Sequence, residues 1–389
     1  MAIIDKTVKS GTIVGKMEDV TDFITALDPD ETYLTNKFGR TSVTSTKHEW
    51  LNDNLRPARD NATMEATDFD VQKARPRKRD FNFCQQFMNG YSTTDTTQAV
   101  KKYGVKDELA YQFVKCGKET ARDLERAIAT NKVAKSEDTT PSRFGGVSYF
   151  LEATKPIEAI TTDGVVTVTA HGFFDGDPVI LMAASGGALD TKFKPNKPYY
   201  VHVVDANSFT LHANPQDTMV DNATSLALKP SAAVASGKME LTNQNLIDAS
   251  SSSSNGKLTF DLLNDAMELA WKRGGKVQDV VCSGSNKRLI SGWTNGVMKT
   301  ADMSRKDLTQ IVDVIETDFG RVNVNAHRQY ESDVVDLFEY QYWKLGYLIP
   351  FHTEDPPRTG TYKQKVMTGS ATLECTAPIS SARIKNITG

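Results

Sequence analysis

Three short patterns in this 389-residue chain carry residue types that could do chemistry, and each lacks a part it needs. His48-Glu49 opens like the helical zinc-protease motif, in which two histidines hold the metal and the glutamate serves as base. Asn52 stands where the second histidine belongs, so no zinc site closes. Gly11 to Lys16, GTIVGK, imitates a phosphate loop with three residues between its glycines instead of four, and Met17 replaces the hydroxyl residue that would bind magnesium. In CSGSN a nucleophile elbow would need glycine two places before Ser283, and Val281 is there. His171, His202 and His212 could in principle bind a metal. His202 and His212 alternate with apolar residues and His171 precedes a turn glycine, so structural histidines are favoured. Cys84, Cys116, Cys282 and Cys375 are far apart with no CxxC pair, which suits buried thiols. No nucleophile, base and orienter come together, so no catalytic residue, cofactor or metal is assigned and the reading is not an enzyme.

Charge is what remains. The tract 52–80 carries Asp53, Asp60, Glu65, Asp68 and Asp70 in its first half, with Arg56 and Arg59 among them, and Lys73, Arg75, Arg77, Lys78 and Arg79 in its second. Most charge runs are solvated faces. A loop of nearly thirty residues is nevertheless uncommon in a compact domain unless it has a task. Segregated opposite charges on one protruding hairpin suit head-to-tail contacts between copies of the same chain, a donor half meeting an acceptor half. Nucleic-acid binding by 73–79 ranks lower, because aromatics are not interleaved there and the formal net charge is only -3.

The elements that must hold this loop follow from periodicity. Residues 41–51, TSVTSTKHEWL, read as a strand. A partner is expected at 81–88, where Phe81, Phe83 and Phe87 alternate onto one face. Over 105–132 the apolar residues Leu109, Phe113, Cys116, Ala121, Leu124 and Ile128 recur at helical spacing, predicting an amphipathic rod of roughly 40 Å. From 155 to 245 short Thr- and Val-rich strands with turn signals about every ten residues predict a small β-sandwich or barrel. ASSSSSNGK then reads as a flexible linker. Beyond it come an amphipathic helix from Phe260 to Trp271, a buried strand at 277–282, a helix at 285–293, and two further strand pairs, within QIVDVIETDFGRVNVNAHR and VVDLFEYQYWKLGYLIPF. No run of 18 apolar residues exists and the first residues lack a signal-peptide pattern, so a soluble protein made in a cytoplasm is expected.

The runs GKMEDVTDFITALDPDETYLTNKFGRTSVTSTKHEWLNDNL and YSTTDTTQAVKKYGVKDELAYQFVKCGKETARDLERAIATNK resemble the major capsid proteins of tailed bacteriophages, more closely the subgroup opening with a short arm. The match is strongest at Asp95, Gly104, 107–112 and 122–125, with Asp95 expected to cap a short helix over 96–103. HGFFDGDPVIL and PYYVHVVDANSFTLH resemble a β-module inserted in many phage virion proteins, SGSNKRLISGWTNG resembles the family's axial domain, and the last 31 residues its closing segment.

The resemblance implies an α+β chain with the Hong Kong 97 capsid fold. Its parts would be an N-terminal arm (1–40), an extended loop hairpin (41–92), a peripheral domain with a spine helix (93–154 and 347–389), an inserted all-β domain (155–248), a linker (249–257) and an axial domain (258–346). It implies pentamers and hexamers in an icosahedral shell around double-stranded DNA bound without sequence specificity. Virion localisation after assembly in the bacterial cytoplasm, a separate scaffolding protein, a portal, optional decoration proteins and no membrane also follow from it. The loop charges Asp53, Arg56, Arg59, Glu65, Asp68, Lys73, Arg75, Arg77, Lys78 and Arg79 would be inter-subunit contacts. Leu109, Phe113, Leu124 and Ile128 would form the spine's core face. No Lys and Asn pair can be assigned to the covalent cross-link of the fold's founding member. The alternative is a tail or decoration protein with a carbohydrate-binding β-module, which predicts glycan binding by 155–245 alone.

Overall fold

The computed structural model describes residues 32–58, 61, 62, 64–66, 68, 75–102, 105, 107–184, 187–220, 223–251, 255–293 and 314–388. Most of the arm expected at 1–40, with Gly104, Arg59 and Lys73, lies outside them. In chain order the first elements are α1 (Tyr33–Lys37), β1 (Gly39–Ser42), β2 (Lys47–Asn52), β3 (Lys78–Phe83), β4 (Gln85–Thr94), α2 (Asp95–Ala99), α3 (Glu108–Thr130) and α4 (Val147–Leu151). Seven strands follow: β5 (Lys155–Pro156), β6 (Ala159–Ile160), β7 (Val165–Thr167), β8 (Pro178–Ala183), β9 (Pro198–Val203), β10 (Ser208–His212) and β11 (Met239–Thr242). The rest are β12 (Asn245–Asp248), α5 (Phe260–Lys272), β13 (Asp279–Cys282), α6 (Gly284–Gly292), β14 (Val314–Thr317), β15 (Gly320–Ala326), β16 (Val335–Phe338), β17 (Trp343–Glu354), β18 (Tyr362–Cys375) and β19 (Ala382–Lys385). The described residues fall into two compact units, one of Met88–Thr120 and His352–Thr368, the other holding the remainder.

In the smaller unit Asp107 ends the approach to α3, its carboxylate accepting from the Ala110 amide at 3.1 Å. The helix therefore starts at Glu108 instead of 105 and ends at Thr130 instead of 132, a rod of about 34 Å. Leu109 and Cys116 are buried and Phe113 is half-buried under the Lys365 ammonium, 5.7 Å from its ring. The short helix before the spine is capped by Thr94, which accepts from the Thr97 amide. Asp95 lies inside that helix and pairs with Arg358.

The larger unit contains three cores. In the first, Leu124, Ala127 and Ile128 of α3 pack with Trp50, Phe144, Phe150, Trp343, Ala371 and Leu373. These come from a four-stranded sheet of order β1-β17-β18-β4, from α4 and from neighbouring segments. The strand expected at 41–51 is broken: β1 pairs in parallel with β17, while β2 pairs antiparallel with β3. The partner expected at 81–88 breaks at Cys84, whose amide donates to Thr46 O at 2.8 Å. Phe87 is buried, whereas Phe81 is 37% exposed.

The second core belongs to residues 155–242, one seven-stranded sheet of order β5-β11-β8-β9-β10-β7-β6. Lying flat, its edges would be about 29 Å apart. Only Ile157 and Glu158 separate β5 from β6, a span of about 11 Å, so the sheet must curl into a barrel. Phe209, Leu211, Val201 and Val166 fill it. Strand β8 is buried on both faces: Val179 and Leu181 point into the barrel, and Ile180 and Met182 join the third core.

That third core lies between α5 and a six-stranded sheet of order β12-β19-β16-β13-β15-β14. Three boundary readings are corrected by it. Strand β12 was expected in the insertion but pairs with β19, so the barrel ends at Thr242. Strand β19 leaves the closing segment for the same sheet, so 347–389 is not one domain. Finally, β16 and β17 are no strand pair, because the 3-10 turn Tyr340–Tyr342 carries the chain from one sheet to another. The pairings that decide these boundaries, β12 with β19, β16 with β19 and β1 with β17, are long-range, which local periodicity does not encode. The segment read as a linker is held by Gly256, which donates to Ala249 O and accepts from the Thr388 amide. Ser283, rejected as a nucleophile, caps α6 by accepting from the Asn286 amide.

Candidate functional site: the loop root and the clasps beneath it

The extended loop leaves the body at β2 and returns at β3, six residue pairs in antiparallel register from Lys47 with Phe83 to Asn52 with Lys78. Its charges divide into two groups. Arg77 and Asp53 are 70% and 61% exposed and stand 3.8 Å apart. Arg79 reaches Glu49 at 3.4 Å from an equally open position. Arg56, Glu65 and Asp68 are also exposed. Arg75 and Lys78, in contrast, turn inward onto Asp177 of the barrel, at 3.0 and 3.6 Å. Arg75 also donates to Asp175 O. Phe174 lies beneath both cations, 5.9 Å from the guanidinium carbon and 5.1 Å from the ammonium. A cleft of about 860 Å³ opens where loop root, barrel and third core meet, lined among others by Leu55, Pro57, Tyr200, Arg273 and Tyr342.

Two buried polar clasps hold the elements of the body together. Glu125, fully buried on α3, accepts from the Leu34 amide (2.6 Å), the Thr35 amide (2.9 Å), the Thr35 hydroxyl (2.5 Å) and His327 Nε2 (2.8 Å). It ties α1 and the segment after β15 to the spine. Burial alone would push its carboxyl up, but these four bonds together hold it below the usual glutamate range. Arg383 on β19 faces Asp336 on β16 across the sheet, with both bonds at 2.6 Å. It also reaches Ser148 (2.7 Å) and Glu152 (2.6 Å) at α4. Burial opposes its charge, but Asp336 and Glu152 more than offset this and its pKa is raised. Tyr330 completes the group by donating to Asp336 at 2.7 Å.

Neither clasp was singled out from sequence, although Glu125 left a trace. Ala121, Leu124, Glu125 and Ile128 occupy i, i+3, i+4 and i+7, so the acid sits on the apolar stripe itself. The histidines of the barrel have protein partners: His171 bonds to Asp205 O and the Phe173 amide, and His202 to Thr218 O. Among the described residues no three His, Cys, Asp or Glu side chains converge to hold a metal, and no helix is long and apolar enough to cross a membrane.

Comparison with known proteins agrees with this architecture. A family model described as SU10 major capsid protein matches residues 4–388. The major capsid protein of Escherichia phage Phieco32 is 29% identical over 119 residues, which is 30% of this chain and 34% of that protein's length. The solved capsid of cyanophage A-1(L) superposes with a TM-score of 0.60 at 10% identity, covering 96% of this chain and 98% of that one. The capsid of the native GTA particle gives 0.51 at 8% identity over 97% and 96%. The α+β, Hong Kong 97-like fold is thus shared by this chain and these two solved capsids. By the match over nearly its whole length, this chain belongs to the SU10 major capsid protein family.

Proposed function

We propose that many copies of this chain assemble into the icosahedral head shell of a tailed phage, in pentamers and hexamers, around double-stranded DNA. The observation that carries this reading is a polar-clasped body bearing a loop with exposed charges, in a chain matched from residue 4 to 388 by a capsid family. The loop's open charges, Asp53, Arg77 and Arg79 with Arg56, Glu65 and Asp68, meet the complementary half of a neighbour's loop or body. Leu109, Phe113, Leu124 and Ile128 keep the spine seated while those contacts form. A scaffolding protein and a portal supplied by other phage genes take part in the host cytoplasm, with decoration proteins an optional addition. Electron microscopy of the chain expressed with and without neighbouring phage genes tests this. Closed shells or capsomers are expected, and their absence under both conditions would sink the proposal.

A further inference from the structure

The barrel has no assigned role, and its turn 174–177 is built against the extended loop at every residue. Phe174 offers its ring to Arg75 and Lys78. Asp175 offers its carbonyl to Arg75, and Asp177 its carboxylate to both cations. Gly176 is buried with φ +78, and a Cβ there would come within 2.7 Å of Pro57 on the outgoing limb. The turn therefore touches both limbs of the loop at its root. It is itself pinned by the barrel: Gly176 N donates to Val201 O (2.7 Å), Val201 N to Asp177 O (3.0 Å), and Val203 N to the Asp175 carboxylate (2.7 Å). Asp177 also accepts from the Phe174 amide at 2.9 Å, closing the turn on itself. The barrel is in turn anchored through the outer face of β8, Ile180 and Met182, in the core beneath α5.

We infer that the turn Phe174-Asp175-Gly176-Asp177 is a seat, within one chain, that fixes the angle at which the extended loop leaves the body before subunits meet, and thereby narrows the curvature of the assembled shell. A loop hinged only at β2 and β3 could swing. A loop gripped at its root by a packed barrel cannot swing without breaking two ion pairs and the close approach of the Pro57 ring to Gly176. The seat consumes Arg75 and Lys78 within the subunit and leaves Arg77 and Arg79 for contacts between subunits.

The inference about curvature rests on the proposed assembly; the seat itself does not. The test compares Arg75→Glu/Lys78→Glu with the charge-matched Arg77→Glu/Arg79→Glu, both as unassembled full-length chains, by amide hydrogen exchange. In the first variant the amides of β2 and β3 should exchange about tenfold faster while β8–β10 stay protected. In the second they should not change. Gly176→Ala, which keeps every charge, should reproduce the first result. Unchanged exchange in the first variant, or the same change in both doubles, overturns the seat. Shells of the first variant should spread over several diameters in electron micrographs, and a single native diameter overturns the link to curvature. If the native chain forms no shells, the assembly reading fails while the exchange result still decides the seat.

Discussion

The same residue types do opposite work in two regions of this molecule. In the clasp at Arg383 a guanidinium 1% exposed meets an aspartate that water does not reach, with three further polar partners saturating the group. On the extended loop Arg77 and Asp53 lie 3.8 Å apart with most of their surface in water. Surface pairs of that kind contribute about 0–1 kcal/mol and are weakened further by salt. A buried pair gains little net stability from existing, because desolvation offsets its attraction, yet breaking it strands a charge in the interior. Buried charges thus fix the fold of the chain, and open charges are left in water, where the proposed assembly would use them.

Three substitutions in the body sharpen that contrast, beginning with the largest effect. Asp336→Ala leaves Arg383 facing only Glu152 and Ser148 and removes the acceptor of Tyr330. A loss of about 3–5 kcal/mol is expected in urea unfolding of the unassembled chain. A loss under about 1 kcal/mol would place this clasp in the same class as the loop pairs. Ile128→Ala opens a cavity in the first core, and about 3 kcal/mol should disappear from the same measurement. Glu125→Gln keeps an acceptor but loses the charge that four donors address, about 1–3 kcal/mol near neutral pH. It also carries a pH signature. The Glu125 pKa is lowered in the folded chain, so its contribution is fully present above the unfolded value of about 4.3 and is lost as pH falls through the folded one. The native chain should therefore destabilise more steeply than the variant below about pH 4.3. Parallel urea midpoints through that range would contradict the assignment.

How much of this was readable from sequence differs by element, and the reason is range. The spine's stripe is a local pattern, and its buried positions Leu109, Cys116, Leu124 and Ile128 follow from spacing alone. So does the train of short strands that becomes the barrel. Switches between sheets were not legible: β12 and β19 are more than 130 residues apart, and nothing in either strand names its partner. The clasps were hidden for a related reason. Asp336 and Arg383 each stand between apolar neighbours, in VVDLF and ARI, and only together are they neutralised. A lone charge between buried β positions, like an acid on a helix stripe, is the signal to read as half of an unseen pair. On the loop the opposite error arose. Arg75 and Lys78 have the same composition and neighbours as Arg77 and Arg79, and only the fold separates those facing the barrel from those facing solvent.

The smallest expected effect on the isolated chain carries the largest consequence for assembly. Arg77→Glu/Arg79→Glu alters two side chains about 70% exposed, which contact Asp53 and Glu49 only at 3.8 and 3.4 Å, so the unfolding midpoint of the unassembled chain should stay where it is. In the proposed contact between copies the same change would reverse one side of a complementary surface, and like charges facing each other across an interface cost several kcal/mol. Assembly should therefore be blocked by a change that unfolding does not register, the reverse of Asp336→Ala, which should first act on the fold. Sedimentation of the two variants under assembly conditions, beside their urea curves, separates these cases. Normal shells from the double variant would move the inter-subunit contact elsewhere, away from the outward charges of the loop. A fallen midpoint would mean that even these open residues belong to the body.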